Sequence, residues 1–241
     1  IPDCALTKDI PVVYGHRSIG DMDVYFLSNQ SSEKVVFSPE FRVTNKQPEL
    51  WEPTTGAIRL LKKYERNANA TVIPLELEPL ESIFVVFAKE VSSSSLVNDT
   101  DTNYPKPQTI ATLAGPWTVS FDKSQKGPQA PVVFQSLYDW STSKEDAIRY
   151  YSGTAVYRTE FTLKDIVPNS PLFINLNEVA VMAKVKVNGQ YIGGVWTPPY
   201  RLNISEAIKQ GTNKVEIEVV NTWVNRLIGD CLLYTSDAAD E

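Results

Sequence analysis

The sequence predicts an all-β protein built of two consecutive antiparallel β-sandwiches. Three observations carry that prediction. Short runs of apolar residues alternate with polar ones along most of the chain, and the joints between runs carry Pro, Gly, Asn and Ser, which end strands and set turns. Aromatic residues are abundant, with 5 Trp, 11 Tyr and 9 Phe, and they suit half-buried pleated surfaces. One stretch, residues 91–107, breaks the alternation with "VSSSSLVNDTDTNYPKP" and divides the chain in two.

Residues 1–11 form a lead-in, and from residue 12 to residue 90 strand follows strand. "PVVYGHRS" runs into "DMDVYFLSN", where Val24, Phe26 and Ser28 alternate with Tyr25 and Leu27. That period of two puts the two sets on opposite faces. "EKVVFSPEFRV" supplies further strands, "NKQPELWEPTTG" a loop, and "AIRLLKKYER", "ATVIPLELEP" and "SIFVVFAKE" three more strands. A short polar turn separates the last two, which predicts that they pair as a hairpin. Six or so strands of this kind close a sandwich.

Residues 91–107 hold a run of four serines, then Asn, Asp and Thr, then two prolines. Such a composition carries too little apolar surface to offset the entropy of ordering, so a linker is expected. Its "NDTDTN" offers oxygen ligands but lacks the Gly and distal Glu of a calcium loop. The second unit, residues 108–230, opens with strands in "TIATLAGPWTVSFD" and "APVVFQSLYDWS", followed by a helical turn in "KEDAIRYYSG". "TAVYRTEFTL", "PLFINLNEV", "MAKVKVNGQYIGGVW", "YRLNIS" and "NKVEIEVVN" are the remaining strands. Asn188–Gly189, set between two alternating runs, is the strongest hairpin signal in the chain. "SEAIKQG" predicts a short helix with Ser205 as N-cap and Gly211 just past its end. The order is that of a jelly roll.

Composition excludes several function classes. The net charge is -6 with a pI near 5.0, and no Lys/Arg run offers the cationic surface that nucleic acid requires. No apolar stretch approaches the roughly 20 residues of a membrane-spanning helix. Cys4 and Cys231 lie at opposite ends without a spacing motif, and there is one histidine. Neither a framework disulfide nor a zinc site is expected, and no other metal or cofactor. The chain starts at Ile1 with no basic-then-apolar leader, so it is expected to be cut from a longer protein.

"LAGPWTVSFD", "YYSGTAVYRTEF", "VKVNGQYIGGVWTPPYRLNISEAIKQGTNKVEIEVVN" and "TWVNRLIGD" resemble the sugar-binding, galactose-binding-like jelly roll of family 2 glycoside hydrolases. Their order more closely resembles the C-terminal end of the α-L-rhamnosidase-like enzymes of glycoside hydrolase family 106. "HRSIGDMDVYFLSN" and "FRVTNKQPELWEPTTG" are similar to the sandwich that those enzymes carry between catalytic barrel and jelly roll. The resemblance covers about residues 12–230. It implies a parent enzyme that cleaves terminal α-linked rhamnose from plant or bacterial glycans, secreted or periplasmic, in a bacterium. Its two catalytic carboxyl groups would sit on a (β/α)8 barrel. Such a barrel takes about 250 residues of alternating strand and helix, a pattern not found here. The catalytic domain is therefore expected upstream of Ile1, no catalytic residue is carried over, and the chain alone is expected to be inactive. Its implied partners are that domain and the glycan substrate. Two rivals stay open: a free-standing carbohydrate-binding or adhesin module, and a piece of a family 2 glycosidase of other specificity.

Sugar sites use aromatic faces against the C–H face of a pyranose, with polar groups fixing the hydroxyls. Trp140, Tyr150, Tyr151, Trp196, Tyr200 and Arg201 lie in or beside predicted loops, where binding residues concentrate. A cluster of them at one rim is the sugar-binding candidate; core and interdomain packing is the competing role for each. Trp117 and Trp223 flank strands and are expected to pack. Trp51, in a Pro/Gly turn region, could reach a neighbouring cleft or lie on its own sandwich. Asn225, Arg226 and Asp230 suggest an Arg–carboxylate pair that pins the domain to a neighbour. His16 has no nucleophile or carboxylate motif beside it and is expected to be structural, and Asp21 and Asp23 to face solvent or cap a turn. Sequons at Asn29, Asn69, Asn98 and Asn203 are expected by chance.

After "TWVNRLIGD" the family pattern should continue into further strands, yet "CLLYTSDAADE" shares nothing with it. Those residues, 231–241, resemble an in-frame translation of the transposase adapter used in sequencing libraries. They are expected to lie outside both sandwiches.

Overall fold

The computed structural model describes residues 2–6, 9–90, 102–166 and 170–237, with side chains as far as Leu232. The chain divides into two compact units, Ile1–Gln108 and Thr109–Glu241.

The first unit contains β1 (Cys4–Ala5), β2 (Val12–Ile19), β3 (Met22–Asn29), β4 (Val35–Phe37), β5 (Glu40–Phe41) and β6 (Lys46–Trp51). It continues with β7 (Ile58–Leu60), β8 (Glu65–Arg66), β9 (Thr71–Val72), β10 (Leu75–Leu77) and β11 (Ser82–Glu90). One layer is a five-stranded sheet in the order β2-β3-β11-β6-β7; opposite it lie β1-β5-β9-β8 and the pair β10-β4. The alternation seen in the sequence sorts the side chains. Tyr25 and Leu27 of β3 and Val85 and Phe87 of β11 point inward against Phe41, Leu75 and Leu77. Tyr25 meets Phe41 edge-on at 4.8 Å. The outward set forms a row in register across the sheet, Gly15–Phe26–Phe84–Trp51–Ile58. Trp51 is thus a strand residue, its indole N–H donating to Glu49 Oε2 at 2.9 Å.

Several expectations change in this unit, beginning with "NKQPELWEPTTG", whose first half is strand β6 and not a loop. "ATVIPLELEP" and "SIFVVFAKE" do not form a hairpin: β10 pairs with β4 while β11 is central in the other layer. The polar turn between them crosses from one layer to the other, with Leu80 in a left-handed conformation, φ 57°. "AIRLLKKYER" splits into β7 and β8 because Leu61 and Tyr64 turn into the core. Part of the expected linker is ordered on the first unit. Asn103 is buried; its amide donates to the carbonyls of Lys63 (2.7 Å) and Pro74 (3.2 Å) and its oxygen accepts from Lys63 N–H (2.9 Å). Arg59 donates to the Asn103 carbonyl and stacks on Tyr104. Side-chain amides that replace missing backbone partners order a polar segment without an apolar core. The "NDTDTN" stretch lies mostly outside the described residues.

His16 is structural, as its surroundings show. Its ring stacks on Tyr25 at 4.2 Å, with Nδ1 3.3 Å from Asp3 and Nε2 3.3 Å from Asp23. Arg42 pairs with Asp3 and Lys46 with Asp23, so each carboxylate beside the imidazole also has a cationic partner. Asp23 is therefore no free solvent-facing carboxylate. Burial pushes its carboxyl up, but hydrogen bonds from Lys46, His16 and Ser18 outweigh that and hold it below the usual range. Cys4 is buried in the core, which pushes its thiol up to about 12 and leaves it an inert hydrophobe. Asn29 is buried and hydrogen-bonded to Glu33 and Glu78, so that sequon is no glycan acceptor.

The second unit contains β12 (Trp117–Phe121), β13 (Val132–Phe134), α1 (Asp146–Arg149), β14 (Thr154–Leu163), β15 (Phe173–Asn175) and β16 (Met182–Val187). After these come β17 (Gln190–Val195), β18 (Arg201–Asn203), β19 (Gly211–Val220) and α2 (Val224–Asp237). Six strands make one sheet, β13-β12-β14-β19-β16-β17, and β15-β18 form the second, smaller one. The Asn-Gly hairpin is present: Val187 pairs with Gln190, and Asn188 and Gly189 have φ of 52° and 85°. Positive φ at both central positions gives the turn whose twist matches the strands.

"SEAIKQG" is a turn and not a helix. Asn203 Oδ1 accepts from Ser205 N–H and Oγ–H, so the asparagine and not the serine caps it. The last described segment is the helix α2, a stretch to which the sequence assigns no element; the family pattern would continue into strands, and residues 231–241 are expected outside both sandwiches. Gly229 rests on Tyr150, where a Cβ would fall 2.7 Å from both Cβ and Cγ of Tyr150. Arg226 N–H donates to Ser152 Oγ, and Arg226 grips Asp230 with both ends of its fork (2.8 and 3.0 Å). That pair spans one helical turn, so it staples α2 rather than pinning the unit to a neighbour. Trp117 packs in the core as expected, but Trp223 is 79 % exposed at the start of α2. From Cys231 onward no described residue enters a strand.

The outward face of the six-stranded sheet carries a charge ladder. Glu216 of β19 lies in register between Arg158 of β14 and Lys186 of β16, at 2.8 and 3.0 Å. Lys184–Glu218 and Lys214–Glu160 repeat the pattern on either side. The Lys186 ammonium, and then the Arg158 guanidinium, hold the Glu216 carboxyl below its ordinary value. A carboxyl lowered by folding stabilises fully above its unfolded value and loses that contribution as pH falls through the folded one. The window for Glu216 therefore opens near 4.5 and extends downward. Urea titrations should show wild type ahead of Glu216→Gln by under about 1 kcal/mol at pH 7, because the site is partly exposed. The gap should close below pH 4. A gap that persists undiminished at pH 3 would refute the ion-pair account.

Candidate functional site

The six sequence candidates do not form one rim. Trp140 and Tyr151 are 7 % and 2 % exposed and belong to the core, packed edge-on against each other and against Phe121. Trp140 also stacks parallel to Tyr157 and donates its indole N–H to the Tyr157 hydroxyl. Tyr151 O–H donates to the Thr154 carbonyl at 2.7 Å. Both residues are therefore removed from any surface site. The reason is local: the 3-10 turn at Trp140–Thr142 buries Trp140, α1 buries Ile148, and Tyr151 just after α1 joins them in the same core cluster. Tyr150 is half-buried beneath Gly229, with Arg149 over its ring at 5.7 Å.

Trp196, Tyr200 and Arg201 remain together on the segment joining β17 to β18. Trp196 is 57 % exposed. Tyr200 is partly buried against the core and its carbonyl accepts from Leu176 N–H at 2.9 Å. Arg201 begins β18, whose partner is β15 in the register Phe173↔Asn203, Ile174↔Leu202, Asn175↔Arg201. Ile174 and Leu202 point into the core, so Phe173, Asn175, Arg201 and Asn203 point outward. Arg201 Cζ lies 5.1 Å above the Phe173 ring, which is itself 48 % exposed. At this distance the guanidinium meets the negative face of the ring.

Phe173, Asn175 and Asn203 were not sequence candidates. "PLFINLNEV" and "YRLNIS" each place polar residues two apart, which marks an outward face. Nothing in one sequence says that these two short strands pair. A broad groove of about 790 Å3 on the opposite sheet is lined by Pro116, Thr118, Arg158, Lys186, Lys214 and Glu216 among others. It is floored by the ladder's ion pairs. Among the described residues no cluster of His, Cys, Asp or Glu is arranged to hold a metal ion.

Comparisons with known proteins bear on both units. Residues 1–66 match the family model of alpha-L-rhamnosidases, glycoside hydrolase family 106. Residues 136–227 match that of the galactose-binding domain-like region of glycosyl hydrolase family 2. A solved rhamnosidase from Novosphingobium sp. PP1Y superposes on 95 % of this chain with a TM-score of 0.86 and 36 % identity. A Formosa agariphila protein, provisionally named a beta-glucuronidase, is 42 % identical over 126 residues, or 52 % of this chain. The chain spans only 22 % of the rhamnosidase and 11 % of the Formosa protein. The resemblance drawn from the sequence motifs is thus present in sequence and in three dimensions, and in both units.

Proposed function

We propose that this chain is a non-catalytic accessory region of a larger bacterial, secreted or periplasmic α-L-rhamnosidase-like glycoside hydrolase. Its jelly roll would brace the catalytic barrel and present the Trp196–Tyr200–Arg201 segment to glycan. The superposition on the Novosphingobium rhamnosidase over 95 % of this chain supports this reading, since it extends through both units in one order.

The test is hydrolysis of an aryl α-L-rhamnoside by this chain and by the longer reading frame of its source gene. The longer protein should turn over and the chain should not. A longer frame without α-L-rhamnosidase activity would overturn the assignment. A second reading has its own support in the family 2 match and the Formosa relative: an accessory region of a β-glucuronide-cleaving enzyme. Hydrolysis of an aryl β-glucuronide by the longer protein would decide for it.

A further inference from the structure

We propose that the outward face of the β15–β18 sheet is a binding site for carboxylate-bearing sugars, that is, uronic acid residues of a glycan. The proposal deepens the glycan-binding part of the reading above and rests on it.

Arg201 is distinctive among its own kind. The second unit has four arginines, and three are engaged with carboxylates: Arg149 with Asp146, Arg158 with Glu216 and Arg226 with Asp230. Arg201 has no carboxylate among the described residues; its planar face rests on Phe173 instead. Stacking holds the guanidinium flat while its N–H edge stays available, which preorganises it for a planar, two-oxygen acceptor.

The two side chains beside it are turned into donors by their own backbone. Asn175 Oδ1 accepts from Asn177 N–H at 3.0 Å, and Asn203 Oδ1 accepts from Ser205 N–H at 3.0 Å and from its hydroxyl at 2.6 Å. With both oxygens occupied, what each amide offers outward is its NH2 group. Asn175 pairs directly with Arg201, and Asn203 directly with Phe173. Direct and diagonal neighbours on a strand pair lie about 5 to 8 Å apart. The face therefore combines one guanidinium, two amide donors and a half-exposed aromatic ring within the footprint of one or two pyranoses. Hydrogen-bond donors without a built-in acceptor select an anion, and the half-exposed Phe173 ring beside them adds apolar surface for a sugar to cover. The guanidinium fork matches a carboxylate in plane and spacing.

Calorimetric titration of the whole chain with a uronic acid trisaccharide, its neutral hexose counterpart and a sulfated counterpart tests this. The uronide should bind at least about tenfold more tightly than the neutral sugar. Arg201→Gln should abolish that preference, Phe173→Ala should weaken binding of the uronide, and the thermal midpoints of both variants should stay near wild type because the side chains are exposed. Equal binding of neutral sugar and uronide, unaffected by Arg201→Gln, would overturn the uronate assignment and leave glycan binding intact. Stronger binding of the sulfated sugar would likewise overturn the choice of carboxylate. Binding of none of the three would overturn glycan binding at this face altogether.

Discussion

Trp140→Ala is expected to destabilise the second unit by about 3–5 kcal/mol, the largest effect of any substitution among the six residues first considered for sugar binding. The argument is packing and polar satisfaction together. The indole is 7 % exposed and touches Phe121, Tyr151 and Tyr157 at centroid distances of 5.3, 5.6 and 6.5 Å. Truncation leaves a cavity the size of a bicyclic ring at the end of the sheet, where a rigid β-framework relaxes little. It also strips the Tyr157 hydroxyl of its indole donor, and a buried hydroxyl without its partner costs a further fraction of the total. Burial already pushes that phenol up to about 12, so it cannot escape by ionising. Domains are stable by only about 5–15 kcal/mol, so the thermal midpoint of this unit should fall by about 10 °C or more. Tyr157→Phe, which removes only the hydroxyl, should cost about 1–2 kcal/mol. Trp196→Ala, at an exposed loop position, should stay within about 0.5 kcal/mol of wild type. Calorimetric unfolding of the three variants would show it; a Trp140→Ala midpoint within 2 °C of wild type would refute the core assignment.

The contrast between Trp140 and Trp196 shows what could be read from one sequence. Strands announced themselves because a period of two sorts residues without knowledge of their partners: Tyr25, Leu27, Val85 and Phe87 all turned inward as the alternation requires. The Asn188–Gly189 turn was legible because positive φ at two consecutive positions admits few residue pairs. Long-range pairing was not legible. β10 and β11 are neighbours in sequence and lie in different layers, and β15 and β18 pair across 25 intervening residues, from Asn175 to Arg201. The same limit hid the candidate site. An aromatic residue near a loop looks alike whether its turn folds over the sheet, as at Trp140, or away from it, as at Trp196. Asn175 and Asn203 acquire their donor character only through turns whose hydrogen bonds are a property of the fold. Asn103 was missed for a related reason. Composition weighs apolar surface, whereas this segment is held by amides that complete the backbone hydrogen bonding of its neighbours.

Asn213→Ala should cost about 3 kcal/mol although it removes no apolar contact. Asn213 is 0 % exposed and all four of its hydrogen bonds are made. Its oxygen accepts from Asn188 Nδ2 at 2.8 Å and Lys209 N–H at 2.9 Å, and its amide donates to the carbonyls of Lys209 at 2.7 Å and Gly211 at 3.0 Å. Asn188 in turn donates to the Ala207 carbonyl and accepts from Lys214 N–H. The two asparagines thus tie the β16–β17 hairpin turn to the segment between β18 and β19, where the predicted helix failed to form. Alanine leaves the Lys209 N–H and two carbonyls without their side-chain partner, at about 1–3 kcal/mol for each group that water cannot reach. Asn213→Asp separates this from a mere loss of volume. It keeps the acceptor but sets a carboxylate against two carbonyl oxygens, so it should be at least as damaging as alanine despite its nearly identical size. Because the loosened segment begins at Ile204, next to Asn203, hydrogen exchange should quicken at Ser205 and Lys209. Any uronide affinity should fall with it, although Asn213 is buried beneath the sheet surface. If Asn213→Asp proved as stable as wild type at pH 7, the donor half of this network would carry no weight.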